Sequence, residues 1–161
     1  MPAQSLRTTT HRRLVVALTA VITALVAGAV ALAMHGRSQP EYAGHRWVLV
    51  RVVHDGEEQP LPEGRQASMS YRPNHSFTLH DTVNYSDGAF TPSGSGYTVS
   101  DVNVTGMAYG GSDPRVHLLE VAMNPLSTVG ADRADVSEGR LVLRAGTYVF
   151  TFDDAGAVNP T

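Results

Sequence analysis

The 161-residue chain has no cysteine. Disulfides, thiolate nucleophiles, zinc–thiolate sites and a lipid-modified cysteine are therefore excluded, and an exported domain of this chain must be held by its own core. It also has no lysine, all 12 of its basic residues being arginine. From Ser38 onward eight arginines stand against 15 acids, a net of −7; the whole-chain value of −3 hides this because Arg7, Arg12, Arg13 and Arg37 come earlier. An acidic region without a basic stripe speaks against a nucleic-acid partner. No internal repeat is present, and the length leaves room for one domain.

Long hydrophobic runs are missing too, with one exception. Leu14 to Ala33, LVVALTAVITALVAGAVALA, holds no charge and no proline. As a helix rising about 1.5 Å per residue it reaches about 30 Å, the thickness of a bilayer's hydrocarbon core. Arg7, Arg12 and Arg13 precede it, which places residues 1–13 as a basic cytoplasmic tail and the C-terminal domain outside. The expectation is a single-pass anchor whose partner is the lipid bilayer. The alternative is a cleaved signal with Ala31-Leu32-Ala33 as its small-x-small site, which would leave the domain secreted. The run is longer than the roughly 7–15 residues of a signal core, which favours the anchor. Ala20, Ala24 and Gly28 have the spacing of helix-dimer contacts, but alanine is too common here for that to mean more than composition. Residues 34–44 read as a linker, 45–156 as the domain and 157–161 as a C-terminal tail.

Within the domain, His45–His54 (HRWVLVRVVH) reads as a strand, with Trp47, Leu49, Arg51 and Val53 on one side and Val48, Val50 and Val52 on the other. The arginine predicts that the valine side is fully buried and the Trp47 side partly so. Asp55–Arg65 reads as a proline-bearing acidic loop. Gln66–Tyr71 and His75–His80 flank a turn at Arg72-Pro73-Asn74, with Phe77 and Leu79 inward. Asp81–Gly88 reads as a loop, Gly88–Thr91 as the start of a strand, Pro92–Gly96 as a turn, and Gly96–Thr105 as an alternating strand. One helix is predicted, N-capped by Asp113 with Pro114 in its first turn, burying Val116, Leu119 and Met123 and stopped by Asn124-Pro125. A loop from Gly130 to Gly139 leads to a hairpin, Arg140–Arg144 and Thr147–Asp153, turning at Ala145-Gly146. The fold class is α+β, mostly β: a strongly curved antiparallel sheet or partial barrel with one packed helix, preceded by the transmembrane helix.

Four stretches in this order carry a family resemblance: Trp47-Val48-Leu49; Asn84-Tyr85-Ser86-Asp87-Gly88-Ala89-Phe90; Thr105-Gly106-Met107-Ala108; and Leu141-Val142-Leu143 with Phe150 and Phe152. From Trp47 to Phe152 the chain resembles the META domain, or HslJ-like family. The resemblance implies a cell-envelope module tied to stress tolerance, with no established catalytic mechanism. Where the family has Gly-Cys this chain has Thr82-Val83, and its second cysteine is Tyr109, so a site built on those cysteines does not carry over. Glu120 lies later than the family's helix acid. Asn84, Gly88, Thr105 and Met107 are read as structural: Asn84 and Gly88 as turn formers, Thr105 as a strand end, Met107 as filler beneath the helix.

Candidate chemistry is sparse. His75, His80 and Asp81 lie near Ser86 and Asp87, but the two histidines face opposite sides of a regular strand, and Ser93-Gly94-Ser95-Gly96 is a turn without a nucleophile elbow. His117 and Glu120 are two ligands three apart on the helix, and zinc wants at least three. Glu57, Glu58 and Glu63 lack the ligand order of a calcium loop. Asn74, Asn84 and Asn103 begin glycosylation acceptor triplets that matter only in a eukaryotic secretory route. No catalytic residue, metal ligand or cofactor is assigned. The function expected is non-catalytic binding or scaffolding of an envelope protein or small ligand. The alternatives are an exported hydrolase or metal-dependent enzyme using His75, His80 and Asp81, and a periplasmic inhibitor or chaperone-like binder.

Overall fold

Among the described residues, alternating β-branched and aromatic residues build ten strands, and a proline-started run builds one helix. A computed structural model of the chain describes residues 39–158. The apolar run Leu14–Ala33 and the basic tail lie outside the described residues; among those described, no helix is long and apolar enough to cross a membrane.

The strands are β1 (His45–His54), β2 (Glu57–Gln59), β3 (Ser68–Tyr71), β4 (Ser76–His80), β5 (Tyr85–Ser93), β6 (Gly96–Val104), β7 (Gly130–Ala131), β8 (Arg133–Ser137), β9 (Arg140–Ala145) and β10 (Tyr148–Ala157). Helix α1 (Pro114–Thr128) falls between β6 and β7. All pairings are antiparallel, in the order β7-β6-β5-β4-β3-β1-β10-β9-β8, with β2 added on β1. The two ends of that order, β7 and β8, are separated in the chain by Asp132 alone. One short segment therefore pairs with β6 at its start and β9 at its end, and the sheet is a nearly closed barrel. Its seam is fastened by Ala134 N–H donating to Ser95 O (2.7 Å) and Asp132 N–H donating to Arg144 O (2.8 Å). Two glycines make this approach possible. A Cβ on Gly96 would collide with the Ala131 carbonyl, and one on Gly130, at φ +112°, with the Tyr97 carbonyl.

The barrel is filled by its own side chains, as small barrels are. Trp47, Met69, Tyr71, Phe77, Leu79, Phe90, Tyr97, Leu141, Leu143, Phe150 and Phe152 are buried. Tyr42, inside the stretch expected to be a linker, is buried as well, and its carbonyl accepts the Trp47 indole N–H at 2.9 Å. Its ring packs edge-on to Tyr71 at 4.8 Å, and Tyr71 in turn contacts Phe90 and Tyr97. Burial pushes the Tyr42 phenol up to about 12 and raises Tyr71 and Tyr97 as well, so this cluster stays neutral.

Local expectations need correction: Tyr85–Gly88, expected within a loop, and Pro92, expected in a turn, belong to β5, whose ladder with β4 and β6 holds them extended, and four further points follow. First, Trp47 and Leu49 are the buried side of β1 and Val50 is exposed, because a bulge between Leu49 and Arg51 inverts the alternation and sends Val52 inward. Second, the Asp55–Arg65 loop contains β2: Asp55 (φ 51°) and Gly56 (φ 86°) form a tight hairpin turn. Third, the Gly130–Gly139 loop is the barrel's closing segment. Fourth, α1 runs through Pro125 to Thr128. Leu126 and Ser127 are buried, the Ser127 and Thr128 hydroxyls donate to Asn124 O, and Val129 N–H donates to Pro125 O at 2.9 Å. Tertiary burial and these bonds offset the missing proline N–H.

Candidate functional site

Helix α1 packs Val116, Leu119, Ala122, Met123 and Leu126 into the fold, leaving a seam against β4–β6. Its start is fixed by Asp113, whose carboxylate accepts Arg115 N–H at 3.0 Å and the Arg115 guanidinium at 2.9 Å. Arg115 also reaches Glu63 at 3.1 Å. The Arg115 hydrogen bond holds the Asp113 carboxyl below its ordinary value, and the same contacts raise Arg115.

Across the seam lies the loop between β4 and β5. Asp81 Oδ1 accepts the Val83 and Asn84 N–H groups at 2.8 and 2.7 Å, and Asp81 N–H donates to Asn84 O. Thr82, inside this loop, sits at φ 90°, an outlier for a β-branched residue, and its hydroxyl is buried without a partner among the described residues. Arg65 donates to Thr82 O at 3.1 Å and lies over the Tyr109 ring.

Asn84 joins these pieces. It is buried, and its Oδ1 accepts Met107 N–H at 2.6 Å and the Thr105 hydroxyl at 3.3 Å. Because the oxygen faces an N–H, the amide nitrogen faces the helix and donates to Glu120 Oε1 at 3.2 Å. Thr105 Oγ1 in turn accepts Tyr85 N–H at 3.0 Å. Three of the four residues singled out from sequence thus meet at one junction. Their roles differ from those expected. Asn84 is a buried bridge, and the Met107 side chain is exposed, only its backbone being used. Gly88 lies within β5, where a Cβ would stand 2.8 Å from Ser100 O and 3.0 Å from the Phe77 ring. It answers a close approach, not a turn.

Beside the junction is a recess of about 260 Å³ whose lining includes Asp81, Asn84, Ser86, Val104, Glu120 and Val121. A second hollow, about 410 Å³, adjoins it through His117 and Glu120. The His117 ring is 3.6 Å from Glu120. A wider groove of about 740 Å³ follows the barrel seam past Asp132 and Tyr148.

The other sequence candidates do not assemble. His75 and His80 stand at opposite ends of β4, His75 near Phe90 and His80 stacked on Tyr85, while Asp81 Oδ1 is taken by the backbone N–H groups of its own loop. Glu58 pairs with Arg51 and Glu63 with Arg115, so the glutamates of the 55–65 segment do not converge. Among the described residues no three His, Asp or Glu side chains form a metal-ligating group. Asn84 is buried, whereas Asn74 and Asn103 are exposed. Sequence reasoning missed Ser86 as a recess residue and Glu120 as the partner of Asn84.

Fold and site together define a class: a nearly closed antiparallel barrel with one helix and a small polar recess at their seam. No protein-family model matches the chain, and no curated protein matches it. Among solved structures the fold is similar to an NMR structure of a protein from Burkholderia xenovorans, with a TM-score of 0.59 and 18% identity over 71% of this chain and 83% of that one. A second NMR structure is similar at 0.52 and 17%, over 68% and 88%. A crystal structure of a DUF4847 family protein from Bacteroides vulgatus has a TM-score of 0.47 and 13% identity, over 74% and 97%. At these identities the first two likenesses speak to the fold alone.

Proposed function

We propose that the chain is a single-pass, outward-facing envelope protein whose META/HslJ-like barrel binds a small ligand or protein segment without catalysis, as part of stress tolerance. The observation that carries this reading is the Asn84 junction. Residues quoted for the resemblance from two separate stretches, Asn84 with Thr105 and Met107, are hydrogen-bonded to each other beside a recess. Thr82 adds support: it stands where the family has glycine, and its φ of 90° is one that glycine adopts freely. The anchor rests on the apolar run Leu14–Ala33 and its preceding arginines.

Fractionation followed by protease shaving of intact cells tests the location. The domain is expected in the membrane fraction and to be removed by external protease. A domain protected until lysis would count against the reading. The hydrolase alternative is tested by an activity panel on the purified chain. Substituting Ser86, His80 or Asp81 is expected to leave any measured hydrolysis unchanged, and a selective loss would overturn that.

A further inference from the structure

The recess beside α1 holds two carboxylates that the fold does not neutralise with arginine. Asp81 is 7% exposed, and both of its accepted hydrogen bonds fall on Oδ1. Glu120 has Asn84 and His117 as its partners. Both line the recess, and Asn84 links them: its backbone N–H goes to Asp81 and its side-chain amide to Glu120. Arg115 is committed to Asp113 and Glu63, and Arg65 donates to Thr82 O. A carboxylate withdrawn from water favours a compensating cation.

A second observation points the same way. Ser86 is 3% exposed and lines the same recess, and its hydroxyl makes no hydrogen bond within the described fold. Its oxygen is not among the fully enclosed unpartnered atoms, so it opens on the recess and is ready to bond what enters. Val104 and Val121, more than half exposed, form an apolar rim. The volume, about 260 Å³, falls just under the range of about 300–1,000 Å³ for drug-sized ligands. The site is sized for a small group.

We propose that this recess binds a small organic cation, an ammonium or guanidinium head between Asp81 and Glu120 with its alkyl body against Val104 and Val121. The Ser86 hydroxyl and the carboxylates accept from the head. Anions are disfavoured by the two carboxylates, and a metal ion finds no three-residue ligand group among the described residues. The head can belong to a free amine or to a basic side chain of a peptide. This inference rests on the binding reading above and names the ligand chemistry for it.

The test is a methyl-resolved NMR titration of the full chain in nanodiscs, with n-butylguanidinium, n-butanol, n-butyrate and a blocked Ala-Arg-Ala tripeptide. Saturable shifts of the Val104 and Val121 methyls are expected with n-butylguanidinium and not with butanol or butyrate. Glu120→Gln, which keeps an acceptor for Asn84, is expected to weaken binding at least about tenfold, as loss of a hydrogen bond to a charged group does. Ser86→Ala is expected to weaken it less, with Trp47 emission unchanged in both variants. Competition by the tripeptide at the same methyls assigns the head to a peptide side chain, and its silence beside a responding n-butylguanidinium assigns it to a free amine. Butanol or butyrate binding as tightly as the cation overturns the proposal and leaves the binding module standing. No methyl response to any probe overturns the recess as a binding site.

Discussion

Replacing Thr82 with glycine is expected to stabilise the barrel. A β-branched residue at φ 90° costs on the order of 1–3 kcal/mol in local strain. Its buried hydroxyl, without a partner, costs about 1–3 kcal/mol more. Against this, glycine loses about 0.5–1 kcal/mol through its greater freedom in the unfolded chain. The two buried side-chain carbons forfeit about 1.5 kcal/mol of burial. The middle of these ranges leaves Thr82→Gly more stable by about 1.8 kcal/mol, a rise of about 7 °C in Tm for a domain of this size. Trp47, the sole tryptophan and 1% exposed, reports unfolding directly, so urea denaturation followed by its emission measures the difference. Thr82→Ala, which removes the hydroxyl but keeps the strain, should fall below Thr82→Gly. A glycine variant less stable than the parent by more than about 0.5 kcal/mol would refute the strain assigned to this loop.

Other outcomes follow from the same geometry. Asn84→Ala removes three side-chain hydrogen bonds at a buried junction and should cost about 3 kcal/mol in the same urea assay. Gly96→Ala should break the barrel closure, costing about 3 kcal/mol or more and abolishing hydrogen-exchange protection along β7. Val52→Ala should cost about 2 kcal/mol while Val50→Ala stays within about 0.5 kcal/mol, since the bulge puts only the former in the core. Asp154 is held below its ordinary carboxyl value first by the Gly156 N–H and then by His45. A depressed carboxyl stabilises the fold above its unfolded value of about 3.9 and loses that contribution as pH falls through the lower folded value. Asp154→Asn should therefore flatten the acid limb of a stability–pH curve.

What could be read from sequence was local. β1 from His45 to His54, the inward Phe77 and Leu79, and the Asp113-Pro114 helix start each carry a signal within a few residues. The closing segment does not. Arg133–Ser137 is half polar, and it is a strand because β9 lies on one side and Ser95 on the other, contacts supplied by residues far along the chain. The bulge at Val50 leaves no mark in a run of valines, and the extension of α1 past Pro125 depends on burial of Leu126. At the site, Asn84, Thr105 and Met107 stood out through the resemblance, but their meeting spans more than 20 residues. The bond to Glu120 spans 36, which no local spacing encodes. His75, His80 and Asp81 are close in sequence and separated by the strand between them. Proximity along the chain misled there for the same reason that distance concealed the junction.

The proposed function turns on the apolar run Leu14–Ala33 anchoring the domain on the outer side of a membrane. The absence of cysteine makes the decisive measurement simple: a single cysteine at Val50, exposed on β1, or at Ser5 in the basic tail, labelled by a membrane-impermeant maleimide on protoplasts. Val50→Cys should label on closed protoplasts and Ser5→Cys only after lysis. The opposite pattern, or both residues protected until lysis, would contradict the account.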